Sequence, residues 1–393
     1  MRKLLWILVI GLFFFGGAGT GSANEETGHG FQEEFIDRQI DQLGLEELND
    51  FWNSVMSEYG GYLPEGQKGT LLEFIKGDKS FSMKGWFRGI IGFAFQELTM
   101  NGKLLGSLLL LTLLSVFLQS LHEAFEKGAV SRVAYAVVFM VLIIIALNSF
   151  RVAVEYAVGA IDSMTQFIYA LIPLLLALIA TSGGVASSAF FHPILIFIIH
   201  TSGILVRSVV LPLLFLSALL AIVSTMTDQH KVTKLAGLLK KAGIGILGIF
   251  MTVLLGVISL QGAATAVADG VAIRTAKFVT GNFIPVVGRM FTDAADTVIS
   301  ASLLLKNTVG VAGVAIVLLL AAFPAIKIMM IAIIYKLAAA LLQPIGSGPV
   351  IDCLDTISNS MLYIFASLAI VSFMFFLSIT IVIASGNITM MIR

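Results

Sequence analysis

Charge and cysteine are scarce in this sequence. Charged residues make up 12% of its 393 residues, with 24 of each sign, which is about half of the fraction usual in globular domains. A chain without net charge offers no global attraction to nucleic acid. The single cysteine, Cys353, excludes an intrachain disulfide and every cysteine-rich metal motif.

The sequence also lacks the short motifs of common catalytic and nucleotide-binding sites. It contains no Walker lysine motif, no H-E-x-x-H zinc motif and no G-x-S-x-G nucleophile elbow. One G-x-G-x-x-G match spans 243–248, but it opens an apolar segment and is therefore typical of helix packing, not of a dinucleotide site. The sequence predicts that the protein is not an enzyme and carries no cofactor or metal.

Hydrophobic residues, in contrast, make up 58% of the chain, and the mean hydropathy is +0.98. Several apolar runs reach about 18 residues, which is the length that a helix needs to cross a bilayer. The sequence therefore predicts an all-α polytopic membrane protein with about seven or eight transmembrane helices and further interfacial amphipathic helices. The predicted spans lie at about 104–121, 133–149, 167–180, two within 190–223, 244–260, 309–334 and 362–384.

Charged or helix-breaking residues interrupt the apolar runs at three places. The stretch 151–166 is interpreted as an amphipathic connector, and the two spans within 190–223 are expected to meet near Arg207. The stretch 309–342 contains Pro324 and Lys327, so it is either one long kinked span or a hairpin broken at the proline. Arg207 and Lys327 are candidate functional residues, because an ionisable group within a span is costly unless it meets water or a partner.

The first 23 residues have the pattern of a secretory signal peptide. Arg2 and Lys3 precede an apolar segment, and small residues lead to Ala23. Cleavage there would place 24–103 on the extracytoplasmic side; an uncleaved anchor is the alternative. This region carries 14 acidic and 7 basic residues, with apolar side chains at helical spacing. It is expected to form amphipathic helices, one of them in the membrane interface, ahead of the membrane domain, 104–393.

The basic residues agree with this orientation. Lys127 and Arg132 follow the first predicted span, and the densest basic cluster of the chain occupies 231–241. Counting spans from an external N-terminal region places both loops inside, as the positive-inside rule requires.

A motif occurs twice in the last third of the chain, at 285–302 and 344–361. Each copy begins with a proline and carries D-x-x-D-T, at an offset of 59 residues. Because residues three apart share a helical face, each copy predicts a helix start with two acids side by side. Two interpretations stay open: the acids oppose the helix dipole, or they form a functional polar face. The candidate site residues are Asp293, Asp296, Asp352 and Asp355.

The position of the two copies depends on the stretch between them. A single kinked span over 309–342 would put the copies on opposite sides, as in the inverted repeats of transporters. A hairpin would put both copies outside. A secondary transporter with an internal repeat is therefore one functional hypothesis.

The whole layout resembles the stage III sporulation protein AE family of endospore-forming bacteria. The resemblance is carried by the signal peptide, the acidic exported region, the spans and the segments TGNFIPVVGRMFTDAADTVISAS and LLQPIGSGPVIDCLDTISNSM. It implies a non-enzymatic subunit of a channel or secretion-like complex, located in the mother-cell membrane around the forespore. It also implies an ATPase partner, ring-forming membrane partners and a need for the complex in late forespore gene expression.

Overall fold

The structure is a computed structural model, and it describes residues 46–62, 69–71, 73, 83–124, 129–226, 232–283, 287–345 and 348–392. The predicted signal peptide, 1–23, and the start of the acidic region lie outside this described part. Every regular element within the described part is helical. The predicted all-α fold is therefore confirmed.

The described residues form nine α-helices. A 3₁₀ turn, Gly60–Tyr62, follows the first, and a π turn, Val206–Val210, joins the fifth to the sixth. The helices are α1 Glu46–Tyr59, α2 Met83–Met100, α3 Gly102–Ala124, α4 Ala129–Thr181, α5 Val185–Leu205, α6 Leu211–Met226, α7 Thr233–Phe283, α8 Val287–Leu342 and α9 Pro349–Ile392.

Six segments of the described chain are long and apolar enough to cross a membrane, against seven or eight expected. They belong to α3, α4, the α5–α6 pair, α7, α8 and α9. The count falls because α4 is continuous through 151–166 and because the backbone stays helical on both sides of the π turn. The predictions of a connector at 151–166 and of two spans meeting near Arg207 are therefore wrong.

Charges inside these helices do not require a break, because they are paired. Arg151 Nε donates to Glu155 Oε1 at 2.8 Å, one turn further along α4. The π turn carries Arg207, whose Nη1 lies 3.7 Å from Asp162 Oδ2 of α4. An extra residue in a π turn changes the direction of a side chain without ending the helix.

Helix α8 runs without interruption through Pro324. The hairpin interpretation of 309–342 is therefore wrong, and the single long span is correct. Proline is tolerated here because neighbouring helices and local adjustments can satisfy the backbone groups that it frees.

Several helices are much longer than one bilayer crossing. Helices α4, α7, α8 and α9 have 53, 51, 56 and 44 residues, which corresponds to roughly 65–85 Å at 1.5 Å per residue. The hydrocarbon core of a bilayer is about 30 Å thick. Each of these helices is therefore more than twice as long as a perpendicular crossing of the hydrocarbon layer requires.

Consecutive long helices run antiparallel. Ser224 near the end of α6 lies 2.7 Å from Thr233 at the start of α7. Cys353 near the start of α9 lies beside Thr225 of α6 and near Tyr135 of α4. The starts of α4, α7 and α9 and the end of α6 therefore share one end of the bundle, which we call the basic end. The sequence places the two basic clusters next to the start of α4 and at the start of α7, which both lie at this end.

The centre of the bundle is α8, packed against α9 and α4. Tyr335 of α8 donates to Ser149 of α4 at 2.9 Å, and Ser358 of α9 donates to the Ala332 carbonyl of α8 at 2.8 Å. Glycine allows close approach on both sides of α8: an added Cβ would lie 2.2 Å from a methyl group of Ile383 of α9 at Gly310 and 2.6 Å from one of Leu171 of α4 at Gly313.

The short helices α1 and α2 pack against the middle of α8. The ring of Tyr59 stacks on that of Phe323 at 4.0 Å, and the ring of Phe93 meets both edge-on. Phe87 and Phe95 of α2 are exposed. One face of α2 is therefore buried on the bundle, and its placement in the membrane interface stays a prediction for the other face.

Candidate functional site

The second repeat copy forms the connection between α8 and α9. Asp355 accepts a hydrogen bond from Lys336 Nζ of α8, and Asn359 Nδ2 donates to its other oxygen at 2.8 Å. Asp352 is exposed in the first turn of α9, where a carboxylate opposes the helix dipole. The two acids of this copy therefore have different surroundings: Asp352 is exposed in the first turn of a helix, and Asp355 binds a lysine of the preceding helix.

The first repeat copy has the same arrangement between α7 and α8. Lys277 Nζ of α7 lies 2.5 Å from Asp296 Oδ1 of α8. The backbone of Asp293 belongs to α8, and its side chain lies outside what the structure describes. In both copies, then, the second aspartate of D-x-x-D-T pairs with a lysine from the helix before it.

The two lysines are part of the repeat, although the sequence pattern alone did not connect them with it. Lys277 and Lys336 are 59 residues apart, and each precedes its aspartate by 19 residues. The sequence does show them, because a lysine occupies the same position in both copies at the 59-residue offset. It was overlooked because the lysine lies in the helix before the proline, outside the segment where the acids cluster. We call these two units the lysine–aspartate pairs.

The pairs lie at opposite ends of α8. Asp296 and Lys336 are 40 residues apart on one continuous helix, which is roughly 60 Å. Helix α7 approaches the first pair from the basic end, and α9 leaves the second pair toward the opposite end. The two copies are therefore inverted relative to each other and share α8.

Both pairs are partly exposed to water. The side chains of Lys336 and Asp355 are 52% and 43% exposed, and those of Lys277 and Asp296 are 29% and 41% exposed. Ion pairs exposed to water contribute little to stability. Neither pair is therefore expected to contribute much to the stability of the bundle.

Lys327 lies among side chains of three helices. Its Nζ is 5.7 Å from the ring centre of Tyr59, 5.2 Å from that of Tyr156, and 3.7 Å from Glu58 Oε1. Burial raises the pKa of Tyr59, as does its hydrogen bond with Glu58, so this hydroxyl stays neutral. Lys327 thus joins α1 to α4 and α8 through one charge and two aromatic faces.

We expect leucine at Lys327 or at Arg207 to impair function more than membrane insertion. Leucine at Lys327 removes the cation that holds Glu58, and leucine at Arg207 removes the partner of Asp162, while apolar residues insert readily. The measurement compares the amount of each variant in isolated membranes with its ability to replace the wild-type chain in cells. Full replacement by both variants would reduce the two residues to ordinary surface charges.

Two further buried polar residues were not identified from the sequence. Asp269 of α7 accepts hydrogen bonds from the amides of Ala186 and Ser187, at 2.8 and 2.9 Å, and so caps α5 from another helix. Lys306 of α8 is fully buried and donates to the Ile383 carbonyl and to Asn387 Oδ1 of α9. Their partners lie about 80 residues away in sequence, so no local pattern marks them.

Within the described residues, no group of three or more His, Cys, Asp or Glu side chains is arranged to hold a metal ion. We therefore take the two lysine–aspartate pairs, together with Lys327 and Arg207 and their interhelical partners, as the candidate functional groups.

Comparison with known proteins agrees with the family resemblance seen in the sequence. The family model described as Stage III sporulation protein AE matches residues 67–386. The chain is 58% identical over 399 residues to Stage III sporulation protein AE of Bacillus subtilis (strain 168), and the match covers the whole of both chains. No solved structure matches the chain.

Proposed function

Since the chain belongs to the stage III sporulation protein AE family, we propose that it is a non-enzymatic membrane subunit of a channel or secretion-like complex between mother cell and forespore. The full-length identity to a protein of that name carries the proposal. The complex would be needed for late gene expression in the forespore. This chain would act in the mother-cell membrane, with an ATPase and ring-forming membrane proteins as partners.

The packing of the bundle supports a conduit formed between chains. The void at its centre has a volume of about 10 Å³ and is lined by apolar side chains that include Leu171, Leu195 and Phe375. Such a space holds at most about one water molecule. A path for solutes would therefore lie between this chain and its neighbours.

The length of the helices supports an assembly as well. A bundle that is roughly 65–85 Å long presents much of its apolar surface beyond a hydrocarbon layer of about 30 Å. Other protein chains are the usual cover for such surface. The proposed orientation puts the basic end in the mother-cell cytoplasm, where an ATPase would meet it, and the N-terminal region in the space between the two membranes.

The inverted lysine–aspartate pairs favour one alternative, a secondary transporter with an internal repeat. Transporters of that type bind substrate near the middle of the membrane, where the repeats meet. Here the middle of α8 is buried and apolar, with Ile316, Val317 and Leu319 at its centre. The charged groups of the repeat lie at its two ends, which agrees better with a subunit that contacts partners on both sides.

Copurification separates the two functions. The tagged full-length chain, extracted from sporulating cells in mild detergent, should retain a cytoplasmic ATPase, and the protein alone in vesicles should not concentrate solutes. An untagged strain is the control for the first measurement, and empty vesicles are the control for the second. Uptake by the purified chain alone, without any retained ATPase, would establish the transporter instead.

A further inference from the structure

We propose that the second half of α4 carries the face of this chain that lines a water-filled path, a proposal that rests on the channel complex proposed above. A line of residues runs along α4 from Asn148 to Thr181 at intervals of three or four, so its members share one helical face. We call it the α4 stripe, and it is roughly 50 Å long. Its polar members are Asn148, Arg151, Glu155, Asp162, Gln166 and Thr181.

The chemistry of the exposed side of α4 changes along the helix. Packing decides which residues are exposed, but the sequence decides what they are. Over 133–144 the large exposed side chains are all valine, isoleucine or methionine. Over 148–181, which the structure describes throughout, no valine, leucine, isoleucine, methionine or phenylalanine is exposed. The other members of the stripe are Gly159, Tyr169, Pro173 and Ala177. Because charged groups are costly against lipid, the stripe is suited to water.

Two open grooves lie along the stripe. One has a volume of about 490 Å³ and is bordered by Asn148, Arg151 and Phe215 of α6. The other has a volume of about 370 Å³ and is bordered by Gln166 and by Asp50 of α1. Since a water molecule takes up about 30 Å³ in the liquid, each groove has room for several. Each also has a charged and an amide side chain on its wall, so water can be held next to the stripe.

The bundle is apolar elsewhere at the same level. The side chain of Ile273 of α7 lies against Gly183, just beyond α4. Ala177 and Val267 each precede this contact by six residues, and so lie level with each other. The large exposed side chains around this level are Leu260, Val267 and Val271 of α7 and Leu304, Val311 and Leu318 of α8. Such apolar surface is not left in bulk water, so this part of the bundle is wet on the stripe and dry on other sides.

The charges of the stripe are balanced. Arg151 is paired with Glu155 at 2.8 Å, and Arg207 of the π turn lies 3.7 Å from Asp162. The stripe therefore has no excess of either sign. It suits water and small polar solutes, and it gives no reason to select cations over anions.

Cysteine labelling tests whether the stripe is wet. Gln166→Cys and Ala177→Cys are introduced in the full-length chain with Cys353→Ala, because Cys353 is the chain's one cysteine and is buried. Isolated membranes of sporulating cells are treated with a small sulfonated methanethiosulfonate, which enters water but not lipid. We expect both positions to be modified. Val267→Cys on α7, level with Ala177 and also exposed, is the matched control and should stay unmodified.

A larger reagent separates a path from an open surface. A maleimide that carries a long polyethylene-glycol chain should modify Gln166→Cys in the chain purified in detergent, but not in the membranes, where neighbouring chains enclose the path. Failure of the small reagent at both stripe positions would overturn the proposal, because lipid or protein then covers the stripe. Equal modification of Val267→Cys, or of Gln166→Cys by the large reagent in membranes and in detergent, would overturn it as well, because the surface then lies in bulk water.

A second measurement needs no labelling. Ala177 on the stripe and Ala264 on α7 are both exposed alanines. Ala177→Asp should leave the amount of chain in membranes unchanged, whereas Ala264→Asp should lower it, because a carboxylate on an apolar surface is costly. Equal amounts of the two variants, both high or both low, would overturn the proposal. ATPase copurification is scored separately: its loss with labelling intact would overturn the proposed complex, and loss of labelling with the ATPase retained would overturn the stripe alone.

Discussion

Reversing one charge in either lysine–aspartate pair should abolish spore formation, and exchanging both charges within the same pair should restore part of it. Asp296→Lys places two cations together, and Lys277→Asp places two anions together, at a site where the native groups are in contact. The double variant Lys277→Asp with Asp296→Lys recreates an ion pair of the same length. The same set applies to Lys336 and Asp355.

Heat-resistant spores per cell are counted in an endospore-forming host that lacks its own copy, and the protein is quantified in membranes. Neutral variants complete the series: Asp293→Asn with Asp296→Asn, and Asp352→Asn with Asp355→Asn. Asparagine has nearly the size of aspartate and keeps one acceptor oxygen without the charge, so loss of spores at normal protein levels means that charge is required. Wild-type yield in both neutral variants would show that the charges of the repeat are not required.

Replacing Asp269 with alanine should destabilise the bundle more than any loss of a surface ion pair. The carboxylate is 2% exposed and accepts two amide hydrogen bonds at the start of α5. Bonds to a charged group contribute about 1.5–3 kcal/mol each, and their loss leaves buried amides without a partner. We expect a fall of several degrees in the midpoint of thermal aggregation of the detergent-solubilised chain.

Two further variants serve as comparisons for Asp269→Ala. Asp269→Asn keeps one acceptor oxygen and should be intermediate. Glu155→Ala removes the exposed partner of Arg151 and should change stability by less than about 1 kcal/mol. Equal midpoints for Asp269→Ala and Glu155→Ala would show that the interhelical cap of α5 is not needed for stability.

The helical fold and the two acid motifs could be predicted from the sequence, because apolar runs and proline-led acids are local signals. The continuity of the long helices could not be predicted from the sequence. A break at 151–166 was expected from Arg151 and Asp162, but Arg151 is paired within α4 and Asp162 is paired with the π turn. Local charge therefore predicted an interruption, whereas one ion pair within α4 and one with the π turn accommodate these charges in a continuous helix.

Only the acidic half of each lysine–aspartate pair was predicted from the sequence. Asp296 and Asp355 were identified, yet the lysines that give them a function in the fold come from the preceding helices. Lys277 and Lys336 were available as a further identity at the 59-residue offset. Asp269 and Lys306 were not available in this way, because contacts across about 80 residues depend on how the helices are arranged.

We expect the two lysine–aspartate pairs, which belong to inverted copies, to lie at opposite sides of the membrane. Thr275→Cys lies two residues from Lys277, and Ile345→Cys follows the helix of Lys336; both positions are exposed. Each is introduced in the Cys353→Ala background, expressed in vegetative cells so that the chain lies in the outer cell membrane, and treated with a membrane-impermeant maleimide in protoplasts, before and after permeabilisation. We expect Thr275→Cys to react from outside and Ile345→Cys to react only after permeabilisation. Reaction of both positions from the same side would contradict the account.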